Sequence, residues 1–166
     1  MSSTRRRGRE WVLRALYAAE LSENPILYVI HDMFKRRGKD DTLYDFCVKL
    51  VKNTYEHRDE FDAVIRKKAR NWDFDRIAVI DKIILRIAMC EFMYFEDIPP
   101  KVSIDEAIEI SKKYSTEKSG KFINGILDSV LEEWKKKDVI VKTGRGLIDI
   151  NKKKSEPFNP LISKSD

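Results

Sequence analysis

Histidine and cysteine are scarce: His31 and His57, Cys47 and Cys90 are the only ones in the chain, and that scarcity closes off most side-chain chemistry. The cysteines lie far apart, belong to no CxxC pair and fall at apolar positions of a helical pattern. No disulfide framework or thiolate metal site is expected, and both read as reduced core residues. No GxxxxGK[ST] loop, GxSxG elbow or HExxH pair occurs, so the two imidazoles read as surface or interhelix residues rather than bases or ligands. Asp105, Glu106 and Glu109 have the look of paired carboxylates, but acidic groups in a first helical turn are accounted for by the helix dipole. The expectation is no enzymatic activity, no catalytic residue, no metal and no cofactor.

Glycine and proline are also few, six and five in 166 residues, which disfavours a turn-rich sandwich or barrel. No uncharged run approaches the ~20 residues needed to span a bilayer. The N-terminus imitates a signal peptide, with arginines ahead of Trp11 to Ala19, but Arg14 interrupts that run and Glu10 and Glu20 bracket it. A cytoplasmic protein without a membrane segment is expected.

What remains is charge and helical periodicity, with 37% charged and 42% hydrophobic residues. The fold class is read as all-α. A first helix follows the N-caps offered by Ser2, Ser3 and Thr4, with Val12, Leu13, Leu16, Tyr17 and Ala19 recurring at its spacing. A short second helix is capped by Asn24, opens at Pro25 and ends at Gly38. From Asp41 the stripe Leu43, Phe46, Cys47, Leu50, Val51, Thr54, then Phe61, Val64 and Ile65 predicts a long helix bent near His57. Asn71 to Arg76, carrying Trp72 and Phe74, reads as a connection pinned by aromatics. The segment from Ile77 to Met89 is apolar on several faces and belongs at the centre of a bundle.

Pro99 and Pro100 end that region, and Ser103-Ile104-Asp105-Glu106 reads as a capping box opening the next helix, with Val102 and Ala107 placed as a hydrophobic staple. A final helix follows Ser115 to Gly120, with Ile123, Ile126, Leu127, Val130, Leu131 and Trp134 on one face and Gly125 read as a point of close backbone approach. Periodicity is lost beyond Lys137. The domain reading is one helical domain over 1–137, in sub-bundles of about 1–70 and 71–137, then an extended or disordered tail over 138–166.

The excess of 33 Lys and Arg over 28 Asp and Glu, a net charge of +5, is modest, so the placing of the charge matters more than its sum. Arg5, Arg6, Arg7 and Arg9 cluster at the start; Lys112, Lys113, Lys118 and Lys121 form a second group. Arg5 and Arg9 share a helical face, as do Arg7 and Arg14, so the arginines form a preformed ridge suited to phosphate oxygens and exposed bases. Lys118-Ser119-Gly120-Lys121-Phe122 brings two cations, a hydroxyl and an aromatic to a helix start, where Phe122 is placed either to stack on a splayed base or to join the core.

Four segments resemble the NusB family of antitermination factors: Arg5 to Glu10 with Ala15-Leu16-Tyr17; DKIILRIAMCE from Asp81 to Glu91; IPPKVSIDEAIEISKKY from Ile98 to Tyr114; and SGKFINGILD from Ser119 to Asp128. They occur in the family's order and spacing from Arg5 to Trp134. The resemblance implies about seven helices in two packed sub-bundles, and a non-enzymatic factor that binds single-stranded boxA RNA of ribosomal-RNA transcripts. The implied partners are the ribosomal protein NusE and the RNA polymerase elongation complex with other Nus factors; a homodimer is a further expectation. By position, Arg5, Arg6, Arg7 and Arg9 would meet RNA together with Lys118, Ser119, Lys121 and Phe122. Tyr17, Asp81 and Arg86 would face NusE, each with a purely structural alternative, which for Arg86 is an internal salt bridge or a helix-capping role. The sequence departs from the family pattern at Lys118, where variable and often acidic residues are expected, and in its long tail. The alternatives are a NusB-like RNA-binding module of the kind fused to ribosomal-RNA cytosine methyltransferases, for which the chain leaves no room, and a helical adaptor without a transcription role.

Overall fold

The computed structural model describes residues 4–22, 25–34 and 41–148. Among them the chain forms seven α-helices: α1 (Thr4–Leu21), α2 (Ile26–Phe34), α3 (Asp41–Glu56), α4 (Arg58–Lys68), α5 (Val79–Tyr94), α6 (Pro100–Tyr114) and α7 (Glu117–Lys136). Short 3-10 turns occupy Phe74–Arg76 and Gly144–Leu147. The expected caps Ser2, Ser3 and Asn24, the stop at Gly38 and the tail from 149 onward lie outside the described residues.

α5 is the centre of the assembly because it is apolar almost all round: every residue from Ile83 to Phe92 is buried, and α1, α3, α4, α6 and α7 all pack on it. A single hydrophobic cluster runs from Val12 in α1 through Leu50 and Ile65 to Leu127 and Trp134 in α7. Cys47 and Cys90 belong to it, and burial pushes both thiols up to about 12. α1 and α3 meet closely at Gly8, where an added Cβ would stand 2.8 Å from Leu43 Cδ1 and 3.0 Å from Cys47 Sγ. The expected bend falls at His57, which separates α3 from α4 and stacks its ring on Tyr94 at 4.6 Å between centroids.

The structure corrects three local expectations. α6 opens at Pro100, not at Ser103, because a proline at the first helical position needs no N–H partner and presets the helical φ. The apparent capping box is helix interior: Ser103 Oγ donates to Glu91 Oε1 at 2.9 Å, Glu106 pairs with Arg6, and Val102 is exposed rather than stapled. α7 begins earlier than expected, at Glu117, because the Thr116 side chain caps it by accepting the Ser119 N–H at 3.1 Å. Gly125 has nothing within 4 Å of an added Cβ; the close contact falls at Gly120, whose Cβ would meet Ser111 Oγ at 3.3 Å.

Beyond α7 the chain stays on the domain as far as the described residues go. Lys142 is buried and donates from Nζ to the carbonyls of Glu91 at 2.9 Å and Phe95 at 2.6 Å, so it serves as a donor for the end of α5. Thr143 N donates to Glu96 O at 3.0 Å, and a Cβ on Gly146 would overlap that carbonyl. Fixing this strap takes a glycine and one lysine, which carry no periodic signal.

Candidate nucleic-acid interface

α1 carries its arginines in two distinct settings. Arg7 is exposed and makes no ion pair among the described residues. Arg5 is half-exposed, reaches Asp97 at 3.1 Å and lies over the Phe46 ring at 4.8 Å. Arg6 makes a bidentate pair with Glu106, at 2.8 and 3.0 Å. That hydrogen-bonded carboxylate raises the Arg6 guanidinium above its ordinary range. These three point to different sides of the first turns of α1, Arg5 and Arg6 held by carboxylates and Arg7 open to solvent.

Arg9 is different, and here the expectation of a phosphate contact is corrected. Its side chain is 3% exposed and grips Glu91, itself 1% exposed, through Nε at 2.9 Å and Nη2 at 2.8 Å. Burial by itself lowers the guanidinium's hold on its proton; the Glu91 charge and hydrogen bonds outweigh it, and the net shift is upward. Arg9 therefore fixes α1 to α5 and holds its neighbours in place.

The second basic cluster is brought beside the first. Lys113, in the last turn of α6, pairs with Glu10 of α1 at 3.0 Å, and Arg14 donates to Tyr114 Oη at 3.0 Å. Ser115 Oγ then meets Ser119 Oγ at 2.9 Å, leading into the first two turns of α7, where Lys118 and Lys121 are exposed. Glu10 and Arg14 of α1 thus meet the last turn of α6, which brings the arginine-bearing helix beside the lysines there, since α1 and α6 both pack on α5. Phe122 is half-buried, with Trp72 at 5.4 Å between ring centroids.

The three residues expected on a partner surface fare unequally. Tyr17 is 36% exposed, whereas Asp81 and Arg86 are only 6% and 7% exposed. Asp81 accepts from Ser119 Oγ at 2.8 Å, so a residue expected to meet a partner and one expected to meet RNA join α5 to α7 instead. Arg86 holds Asp62 at 2.7 and 2.9 Å and approaches Glu20 at 3.6 Å, which is the internal salt bridge weighed for it. The correction has a common cause: a helix surrounded on all sides has no open face for its charged residues, so they pair inside.

Reading the sequence missed Glu91, which accepts from Arg9 and Ser103 together. A lone carboxylate in an otherwise apolar run was its signal. Among the described residues no group of three His, Cys, Asp or Glu side chains could hold a metal ion, and no helix is long and apolar enough to cross a membrane.

The model of the NusB family matches residues 6–132. A transcription antitermination protein NusB from Chloroherpeton thalassium is 43% identical over 164 residues, covering 98% of this chain and 78% of that protein. Among solved structures, T. maritima NusB superposes with a TM-score of 0.71 at 33% identity, over 80% of this chain and 94% of that one. A complex of the antitermination factors NusB and NusE with double-stranded RNA gives a TM-score of 0.71 at 25% identity, over 80% of this chain and 99% of the matched chain.

Proposed function

Because this chain belongs to the NusB family, we propose that it is a transcription antitermination factor that binds boxA RNA together with NusE and supports processive elongation by RNA polymerase with the other Nus factors. The observation that carries the proposal is the joining of the two basic clusters through Lys113–Glu10 and Arg14–Tyr114. Phosphate is met by guanidinium groups on a fixed helix, which costs less ordering entropy than a loose basic tail.

In this reading Arg5, Arg6 and Arg7 contact the RNA backbone, Lys118 and Lys121 extend the contact along α7, and Phe122 supplies an aromatic edge. Arg9 acts behind them as a positioning residue. NusE meets the α1–α2 side, where Tyr17 is accompanied by exposed Leu21, Leu27 and Tyr28. The protein is a cytoplasmic, non-enzymatic factor.

The test is fluorescence anisotropy of a labelled single-stranded boxA-like RNA, a scrambled RNA and a duplex, titrated with the protein alone and with equimolar NusE at two salt concentrations. Tighter, sequence-selective binding in the presence of NusE is expected. Equal and steeply salt-dependent binding to all three RNAs, regardless of NusE, leaves only a generic basic helical protein and overturns the assignment.

A further inference from the structure

Trp72 is 63% exposed, yet the loop that carries it is well fixed. Its own N–H donates to Ala69 O at 3.0 Å, the Asp73 side chain accepts from Asp75 N at 3.1 Å, and Arg76 N donates to Asp73 O at 3.0 Å. Two residues on, Phe74 is covered by cations, with Arg66 and Lys82 each 4.1 Å from its ring centroid. Trp72 receives no such cover: among the described residues no cation lies over its ring, and its one aromatic neighbour is Phe122, tilted by 58°. A large indole held in place with an open face is an unusual use of apolar surface.

Its location gives the open face a meaning. Ser119 binds Asp81 at the start of α5, and Trp72, in the loop ahead of α5, meets Phe122 in the second turn of α7. Lys118 and Lys121 are exposed on the first two turns of that helix. Trp72 therefore meets α7 just past the turn that joins it to α6, whose last residues Lys113 and Tyr114 contact α1. The exposed aliphatic side chains Leu21, Leu27, Val102, Val139, Val141 and Ile148 belong to other elements. Trp72 meets Phe122, which directly follows the exposed Lys121 in α7, and aromatic rings beside cations are the combination that single-stranded nucleic-acid sites use.

We propose that Trp72, backed by Phe122, is a stacking platform for one unpaired nucleobase of single-stranded RNA. It extends the RNA path past the α6–α7 turn, and it rests on the RNA-binding reading above. Stacking needs a base out of a duplex, so the platform favours single-stranded over double-stranded RNA.

The test compares the wild-type protein with Trp72→Ala and Trp72→Phe, using single-stranded boxA-like RNA and a duplex of the same sequence. Trp72→Ala is expected to weaken single-strand binding about tenfold and to leave duplex binding unchanged, and Trp72→Phe to stay within about threefold of wild type. RNA should quench part of the intrinsic tryptophan fluorescence of the wild type, and that part should vanish in Trp72→Phe. Circular dichroism should be the same for all three. Normal RNA affinity in Trp72→Ala overturns the platform while leaving the RNA-binding reading intact. Equal losses on single strand and duplex overturn it too, as does a loss confined to binding a protein partner. A wild-type protein that binds neither RNA overturns the RNA-binding reading itself.

Discussion

Arg9 and Glu91 form a buried bidentate ion pair, 2.8 and 2.9 Å, between α1 and α5. Glu91 also accepts from Ser103 of α6 at 2.9 Å, and its backbone carbonyl accepts from Lys142 at 2.9 Å. One carboxylate residue thus ties the arginine-bearing helix, the central helix, α6 and the C-terminal strap together. The orientation of Arg5, Arg6 and Arg7 is inherited from a contact none of them makes.

The arginines of α1 therefore divide by role. Replacing Arg9 by Met leaves the Glu91 carboxylate buried with its main partner gone, and breaking a buried pair this way costs about 3–5 kcal/mol. Replacing exposed Arg7 by Ala changes stability by no more than about 0.5 kcal/mol. Urea denaturation followed by circular dichroism measures both. In RNA titrations across salt, Arg7→Ala should lower affinity for specific and scrambled RNA alike and reduce the salt slope by about one. Equal stability losses for the two variants would sink the division.

That division was partly legible. Arg9 lies three, four and seven residues before Val12, Leu13 and Leu16, so it falls on the apolar stripe; the run of arginines around it masks this register. The bend at His57 and the central place of α5 follow directly from apolar periodicity. The start of α6 was not legible from its S-x-x-E spacing. The same interval that lets Ser and Glu cap a helix also puts them on one face inside a helix, here towards Glu91 and Arg6. Only the neighbouring proline decides between the two arrangements. The strap over α5 had no signal, since Lys142 and Gly146 act through single long-range contacts with main-chain carbonyls.

Arg5 is held by Asp97 at 3.1 Å, with side chains 47% and 58% exposed. A pair this open is weak and screened by salt, so phosphate can replace the carboxylate, but the acid still opposes an incoming anion. Asp97→Asn is expected to tighten RNA binding about two- to fivefold at low salt, with the gain fading as ionic strength rises. Anisotropy at two salt concentrations checks it. Unchanged affinity at low salt would place Arg5 outside the RNA surface.

Two glycines invite opposite outcomes. A Cβ on Gly8 meets Leu43 Cδ1 at 2.8 Å and Cys47 Sγ at 3.0 Å, so Gly8→Ala must push α3 side chains aside and costs about 1–3 kcal/mol despite the better helix propensity of alanine. A Cβ on Gly125 meets nothing within 4 Å, so Gly125→Ala should stabilise α7 by up to about 1 kcal/mol. Thermal melts of the two variants should move in opposite directions. A shift of the same sign in both would mean that α1 and α3 are not in close contact at Gly8.

Lys142 makes stability depend on alkaline pH in an unexpected sense. Burial pulls its ammonium down to about 8, against the opposing pull of Glu91, Asp97 and Glu96, while an unfolded chain keeps the ordinary value of 10.5. Between those values the unfolded chain binds more protons than the folded one, so this group makes the protein more stable as pH rises from about 8 toward 10.5 and contributes no pH dependence below about 7. The neutral amine still has two N–H bonds, enough for the carbonyls of Glu91 and Phe95. Cys47 and Cys90 act the other way: their folded values near 12 exceed the ordinary 9.0, so they withdraw stability as pH climbs past 9. The lysine is therefore read as a difference. Urea midpoints of wild type and Lys142→Met, compared at pH 7, 8.5 and 10, cancel the cysteine contribution, and the advantage of the wild type should grow with pH by on the order of 1–3 kcal/mol. An advantage that stays level or shrinks would mean that the strap does not bury a charged Lys142 in solution.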